Sequence, residues 1–391
     1  MKKIVRKVLK EALGVPKDIT KTAIDLYESI LKEMRDNISP YDTDDEHDLS
    51  ISKSFYVNDF EIDGIDFKIN IAESTLTDKP DISAFAFGVG HSIDTNKGVR
   101  MRHEIKHGDT VKLMVNVVVP ESKWKFQDIY DMFIEKRVKI IGSLTHELKH
   151  SYDYYKNPNR SVYNTGQYQA YSNTFLGLPP IDAFLYDLYF VHEIENLVRP
   201  SEIATDIELK GIKQKDFLKF IESDPVYKRL KSISNFSVEN LKKSLKLFIP
   251  QIDAIFQKLN ISTDISDDEK VELILKFAYF TIVNRKIESI INILQTTVFE
   301  KIRGELNPDK VDYYNKLHDR VQRFSSYKEF YEYEEKMFRY TAKKLMKKIS
   351  KLYAITKTDE SSILDWELHH KTNKNTVRGF VKEVNYSKKK K

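Results

Sequence analysis

Apolar residues recur at two different spacings along this chain, and the change from one to the other divides it into regions. Residues 1 to about 38 follow a helical period interrupted at Gly14-Val15-Pro16, with Ile24, Leu26, Tyr27, Ile30 and Leu31 on one side of the second segment. This predicts a pair of N-terminal helices. The stretch Asp42-Thr43-Asp44-Asp45-Glu46-His47-Asp48 has no apolar period and lacks the glycine and closing glutamate of an EF-hand, so it reads as a solvated loop. From Ser52 to Pro120 the period becomes two, through Phe55 and Val57, then Ile65, Phe67, Ile69 and Ile71, then Phe85 and Phe87, then Val111, Leu113, Val115 and Val117. These runs predict strands, and Asp63-Gly64 and Gly108-Asp109 between them predict antiparallel hairpins.

From Lys123 onward the helical period returns. One long helix is predicted over about Gln127 to Tyr155, with Ile129, Phe133, Ile140, Ile141, Leu144 and Leu148 on its apolar side. A loop rich in Asn, Gly and Pro follows, and a second helix is predicted from about Ile181 to Val198, broken or kinked at Pro200. Residues 210 to 355 read as helical, with capping boxes at Ser266 to Glu269 and Ser326 to Glu329 and a helix-opening proline at Asn307-Pro308. Val377 to Val384 reads as a short strand in a polar tail. The pattern as a whole predicts an α+β fold: a small antiparallel sheet with a long helix, flanked by N-terminal helices and a large C-terminal helical region. The corresponding division is a helical segment over 1–40, an α+β domain over 50–210, a helical domain over 211–370 and a basic polar tail over 371–391.

Composition narrows the chemistry. At 391 residues the chain exceeds what one core usually serves, and 41% hydrophobic with 31% charged residues describes a folded rather than a disordered protein. The net charge of +5 is small for this length and partly resides in Lys388 to Lys391, so nucleic acid is not an expected partner. The basic run Lys343 to Lys351 reads as a charged helix face. No apolar run is long enough to span a membrane, and no long apolar segment follows the basic N-terminus, so the expected location is cytoplasmic or inside a particle. There is no cysteine, so a transition metal would have to be held by histidines and carboxylates.

His146-Glu147-Leu148-Lys149-His150 supplies such donors. Residues four apart share a helix face, so both imidazoles can address one Zn2+ ion while Glu147 lies beside them as a general base. A second match, His103-Glu104-Ile105-Lys106-His107, falls in a strand-like region, where residues four apart are separated by ~13 Å at ~3.3 Å per residue. It reads as a decoy. Asp153, one turn after His150, is a candidate to orient a ligand histidine or a solvated helix-end residue, and Tyr152, Tyr154, Tyr155, Tyr163, Tyr168 and Tyr171 crowd the neighbourhood.

With the apolar stretch Val111 to Val119 upstream, the motif resembles the HExxH zincin metallopeptidases. That resemblance implies an edge strand along a cleft, here Val111 to Val119, followed by the active-site helix. Ser151-Tyr152-Asp153-Tyr154-Tyr155-Lys156 lacks the third histidine of the long-zinc-motif subgroup. Gluzincins take a glutamate from a later helix, and the segment Phe190 to Glu202 is of that kind. Similarity to phage-encoded peptidases, with a glutamate four residues before Arg199, implies Glu195 as the third ligand, with Glu193, His192 and Glu202 as alternatives. Arg199, one turn after Glu195, is a candidate to clamp that carboxylate, to stabilise an oxyanion, or to form an ordinary ion pair with Glu195 or Glu202. The activity implied is zinc-dependent hydrolysis of a protein or peptide substrate. The alternative is a virion-associated structural or assembly protein that keeps the fold with little peptidase activity and whose partners are phage structural proteins.

Overall fold

The computed structural model describes residues 19–88, 107–121, 124–156, 177–283 and 324–356. The chain divides into two compact units, each discontinuous in sequence. One comprises Met1–Pro158, Leu197–Asp224 and Lys347–Lys391; the other comprises Asn159–Asn196 and Pro225–Met346. The segments of the second unit fall between those of the first along the chain.

In the first unit the first described element is α1 (Ile19–Asn37), whose buried face is Ile19, Thr22, Ala23, Leu26, Tyr27, Ile30 and Met34. Ile24 and Leu31 of the expected stripe are half-buried on its flank. The first member of the expected N-terminal pair lies outside the described residues. Five strands follow: β1 (Glu46–Ile51), β2 (Phe55–Val57), β3 (Phe60–Ser74), β4 (Asp81–Gly88) and β5 (Asp109–Pro120). Glu46, His47 and Asp48 belong to β1, not to a loop, because His47 alternates inward with Leu49 and Ile51. Alternation in β5 buries Val111, Leu113, Val115, Val117 and Val119 on one face, at ~1.5–3 kcal/mol for each fully buried large apolar side chain.

The strand order is β1-β3-β5-β4, with β2 also pairing β3. The sheet is mixed, which corrects the expected all-antiparallel one: β3 and β5 run parallel, while β1, β2 and β4 pair antiparallel with their neighbours. Asp63-Gly64 is no hairpin turn. It lies inside the 15-residue β3, where the register against β5 slips between Ile62 and Ile65. Gly64 sits there at φ +146°, and a side chain on it would point at the Ile51 carbonyl 3.4 Å away. The tight turn is Asn58-Asp59, with Val57 paired to Phe60 and Asn58 at φ 57°, a conformation asparagine tolerates well. Gly108, at φ +81°, leads into β5 and donates its N–H to the Glu61 carbonyl. Because β5 has β3 on one side and β4 on the other, Val111–Val119 is interior to the sheet, and β4 is the edge on that side among the described residues.

The expected single helix is two, α2 (Phe126–Glu135) and α3 (Arg137–Lys156). Lys136 between them adopts φ −92°, ψ 20°, and its ammonium pairs with Asp81; no Gly or Pro announces this bend. Phe133 packs edge-on against Phe67 of β3, and its carbonyl accepts a hydrogen bond from the buried Tyr27 hydroxyl of α1. The far end of α3 is pinned to the β2–β3 turn, where Lys156 and the Tyr152 hydroxyl both reach Asp59 and Tyr155 stacks on Phe60.

The second unit contains α4 (Pro179–Phe190) and helices α7 (Pro225–Ile233), α8 (Val238–Lys246), α9 (Ile249–Lys258), a helical stretch over 267–283, and most of α10 (Tyr327–Ser350); α5 (Glu193–Lys210) starts in it, and α6 (Phe217–Ser223) belongs to the first unit. Phe184 is at the centre of its core, against Phe236, Phe330, Tyr331 and Phe338. The Ser266–Glu269 capping box is formed reciprocally. At α10, Ser326 caps Glu329, but the Glu329 carboxylate reaches back to Ser325. The helix expected to end near Pro200 ends instead at Phe190, with Val191 as its cap, and Pro200 lies inside α5. Asn307-Pro308 and Val377 to Val384 lie outside the described residues.

Candidate metal centre

α3 is unusual in being buried nearly all round from Ile140 to Ser151, including His146, Glu147, Lys149 and His150. Such a helix needs a polar partner for every charged side chain it takes inside. For His146 that partner lies on α5, one continuous helix whose body from Leu197 onward belongs to the same unit as α3.

Close approach starts at Gly142, one turn before His146. A Cβ built there would stand 3.1 Å from Asp206 Oδ1 and 3.8 Å from Glu202 Cγ, so a side chain at this position would press on the Asp206 carboxylate. Next along α3, Thr145 accepts a hydrogen bond from Thr205 at 3.1 Å. Then His146 Nδ1 meets Glu202 Oε2 at 3.3 Å. Glu202 also accepts from Arg199 at 3.2 Å. Burial opposes charge on Glu202, but the hydrogen bond to His146 and the Arg199 guanidinium outweigh it and hold the carboxyl below its ordinary range.

On their other side the imidazoles face each other, His146 Nε2 and His150 Nε2 lying 3.0 Å apart. Neighbouring donors of a tetrahedral zinc site are about 3.3 Å apart for bonds of ~2.0–2.1 Å. Among the described residues, His146, His150 and Glu195 form the group whose ligand atoms all fall within 4.8 Å of one another. Glu195 occupies the first turn of α5, where the positive helix end favours a carboxylate. Two neutral nitrogens and one carboxylate oxygen, with no thiolate, form a donor set suited to zinc.

The expected ligands His146, His150 and Glu195 are therefore brought together, and Glu147 lies between the histidines on α3, buried. Glu202, an alternative ligand, instead holds the back of His146 and is itself held by Arg199. His192 is not in the group, and the Glu193 side chain lies outside those described. Asp153 neither orients a histidine nor sits in solvent. It accepts from Lys149 at 2.7 Å, in a pair whose side chains are 14% and 7% exposed. This explains how a lysine is accommodated inside the motif. Tyr154 stacks on His150, while Tyr163, Tyr168 and Tyr171 lie outside the described residues. Of the second motif, His107 stands in the turn before β5, paired with Glu61 at 3.4 Å; His103 to Lys106 lie outside the described residues.

Sequence reasoning missed Gly142, Thr145 and Thr205. It also missed the outer role of Glu202, for which a signal existed: Glu195 and Glu202 are seven residues apart, two turns on one face. No protein-family model, curated protein or solved structure matches this chain. No helix among the described residues is long and apolar enough to cross a membrane.

Proposed function

We propose that this chain is a zinc-dependent metallopeptidase of zincin type, in which His146, His150 and Glu195 hold the ion and Glu147 is the general base. The observation that carries the reading is the arrival of Glu195, 45 residues beyond His150, at the pair of imidazoles.

Bound zinc would lower the pKa of a water molecule toward ~7 and polarise a peptide carbonyl. Each residue of the chain then has a task. Glu202, accepting from Nδ1 of His146, fixes the tautomer that leaves Nε2 as a donor to metal. Arg199 keeps Glu202 charged. The Glu147 carboxylate takes the proton of the attacking water as the new C–O bond forms, and delivers it to the amine nitrogen as the C–N bond breaks. Hydrolysis of a denatured-protein or mixed-peptide substrate by the zinc-loaded protein, lost in Glu147→Gln with zinc retained, tests the assignment. Equal hydrolysis by both proteins would refute it.

One observation favours a second reading. His146, Glu147, His150 and Glu195 are only 6%, 7%, 6% and 2% exposed. A site so enclosed suits an ion that staples the fold of a structural or assembly protein, since a closed zinc site stabilises where an open one catalyses. In that case zinc binds, the folded state is lost on chelation, and no peptide is cleaved.

A further inference from the structure

Three threonine hydroxyls run in series through the first unit. Thr205 of α5 donates to Thr145 of α3 at 3.1 Å, and Thr145 donates to the Ile141 carbonyl at 2.9 Å. A hydroxyl has one proton to give. Both protons are thus committed, so the 3.1 Å contact between Thr20 and Thr205 must be a donation from Thr20. The chain has one direction, from α1 through α5 to the backbone of α3. Thr145 and Thr205 are completely buried, where an unmet hydroxyl costs ~1–3 kcal/mol.

The position of the chain gives it consequence. Thr145 immediately precedes His146, and Thr205 lies one turn beyond Glu202, the residue that holds His146. Sliding α5 along α3 by one residue, ~1.5 Å, would break both Thr205–Thr145 and Glu202–His146. Gly142 leaves room for the Asp206 carboxylate of α5 against α3, while the hydroxyls set the relative height of the two helices. α1 is itself anchored independently, by Thr22 to the Tyr56 carbonyl at 2.6 Å and by Tyr27 to the Phe133 carbonyl.

We propose that Thr205 is a positioning residue for the metal centre and that α1, through Thr20, holds Thr205 in place. The inference rests on the reading of His146, His150 and Glu195 as zinc ligands. Thr205→Val keeps the shape and removes the hydroxyl, and Thr205→Ser restores it. Zinc affinity of the full chain is measured by chelator competition, together with the visible spectrum of the cobalt-loaded protein and the melting temperature. The expected result is about tenfold weaker zinc binding and an altered cobalt spectrum in Thr205→Val, with Thr205→Ser close to wild type, in line with the ~10–100-fold effects of groups that orient metal ligands. Thr20→Val, at the partly exposed end of the chain, should shift affinity the same way by a smaller factor and serves if Thr205→Val does not fold. Wild-type affinity and spectrum in the valine variants, even with a lower melting temperature, would overturn the proposal and leave the zinc site standing. Failure of the wild type to bind zinc would overturn both.

Discussion

Glu202 Oε2 lies 3.3 Å from Nδ1 of His146, on the opposite side of the imidazole from the Nε2 that faces His150. The carboxylate thereby orients the ring without competing for its other nitrogen. Replacing it with glutamine removes the charge that both His146 and Arg199 address. Glu202→Gln should weaken zinc binding by about tenfold or more, read by competition with a chromophoric chelator. Unchanged affinity would show that His146 needs no outer partner.

The Lys149–Asp153 pair is buried on the same helix. Breaking it from one side leaves a charge inside without its counter-ion, which costs ~3–5 kcal/mol, whereas replacing both partners with apolar residues of similar size is often near neutral. Lys149→Met and Asp153→Leu are each expected to destabilise by about 3 kcal/mol, and the double variant by much less. Urea unfolding of the four proteins checks this, and additive losses would contradict it.

Gly142 sets two tendencies against each other. Alanine is better than glycine inside a helix by ~1 kcal/mol, but its Cβ would stand 3.1 Å from a carboxylate oxygen of Asp206. Asp206 is itself tied to Lys210, so it gives way poorly, and strain of ~1–3 kcal/mol is expected to win. Gly142→Ala should lower the melting temperature and weaken zinc binding; a higher melting temperature would show that α5 yields freely.

Much of this arrangement could be read along the chain, and the failures have identifiable causes. Alternation announced β3 and β5 correctly, because one face of each is buried. It could not reveal that they run parallel, since pairing partners are set by which strands meet, and β4 crosses to the far side of β5. Gly64 and Asn58 show the ambiguity of turn signals: the glycine accommodates a bulge in a continuous strand, while the asparagine makes the turn. Pro200 misled because it is tolerated within α5; the break before it comes at Val191, whose carbonyl is capped by the Asn196 side chain at 2.7 Å. At the site, the histidines and glutamates are legible because metal chemistry restricts residue type and spacing. Thr145 and Thr205 are not, since a threonine gives no hint in sequence of which distant hydroxyl it will meet.

Asp187 in the second unit provides a pH test away from the metal. Burial pushes its carboxyl up to about 6 against the pull of Arg229, although the guanidinium donates to it at 2.6 Å. The folded state therefore holds a proton that the unfolded state releases near its ordinary value of 3.8. The associated stability is fully present below about pH 4 and is lost as pH rises through about 6, a change of ~2–3 kcal/mol. Asp187→Asn does not titrate, so relative to this variant the wild type should lose that amount between about pH 4 and pH 7. Parallel unfolding curves for the two proteins across this range would contradict the assignment.

The zinc content of the purified chain is the most direct test. After equilibration with zinc and removal of excess, elemental analysis should find about one ion per wild-type chain, sharply less in Glu195→Gln, and essentially none in His146→Ala/His150→Ala. A wild-type chain that retains no zinc, or a double-alanine variant that retains as much as wild type, would contradict the account.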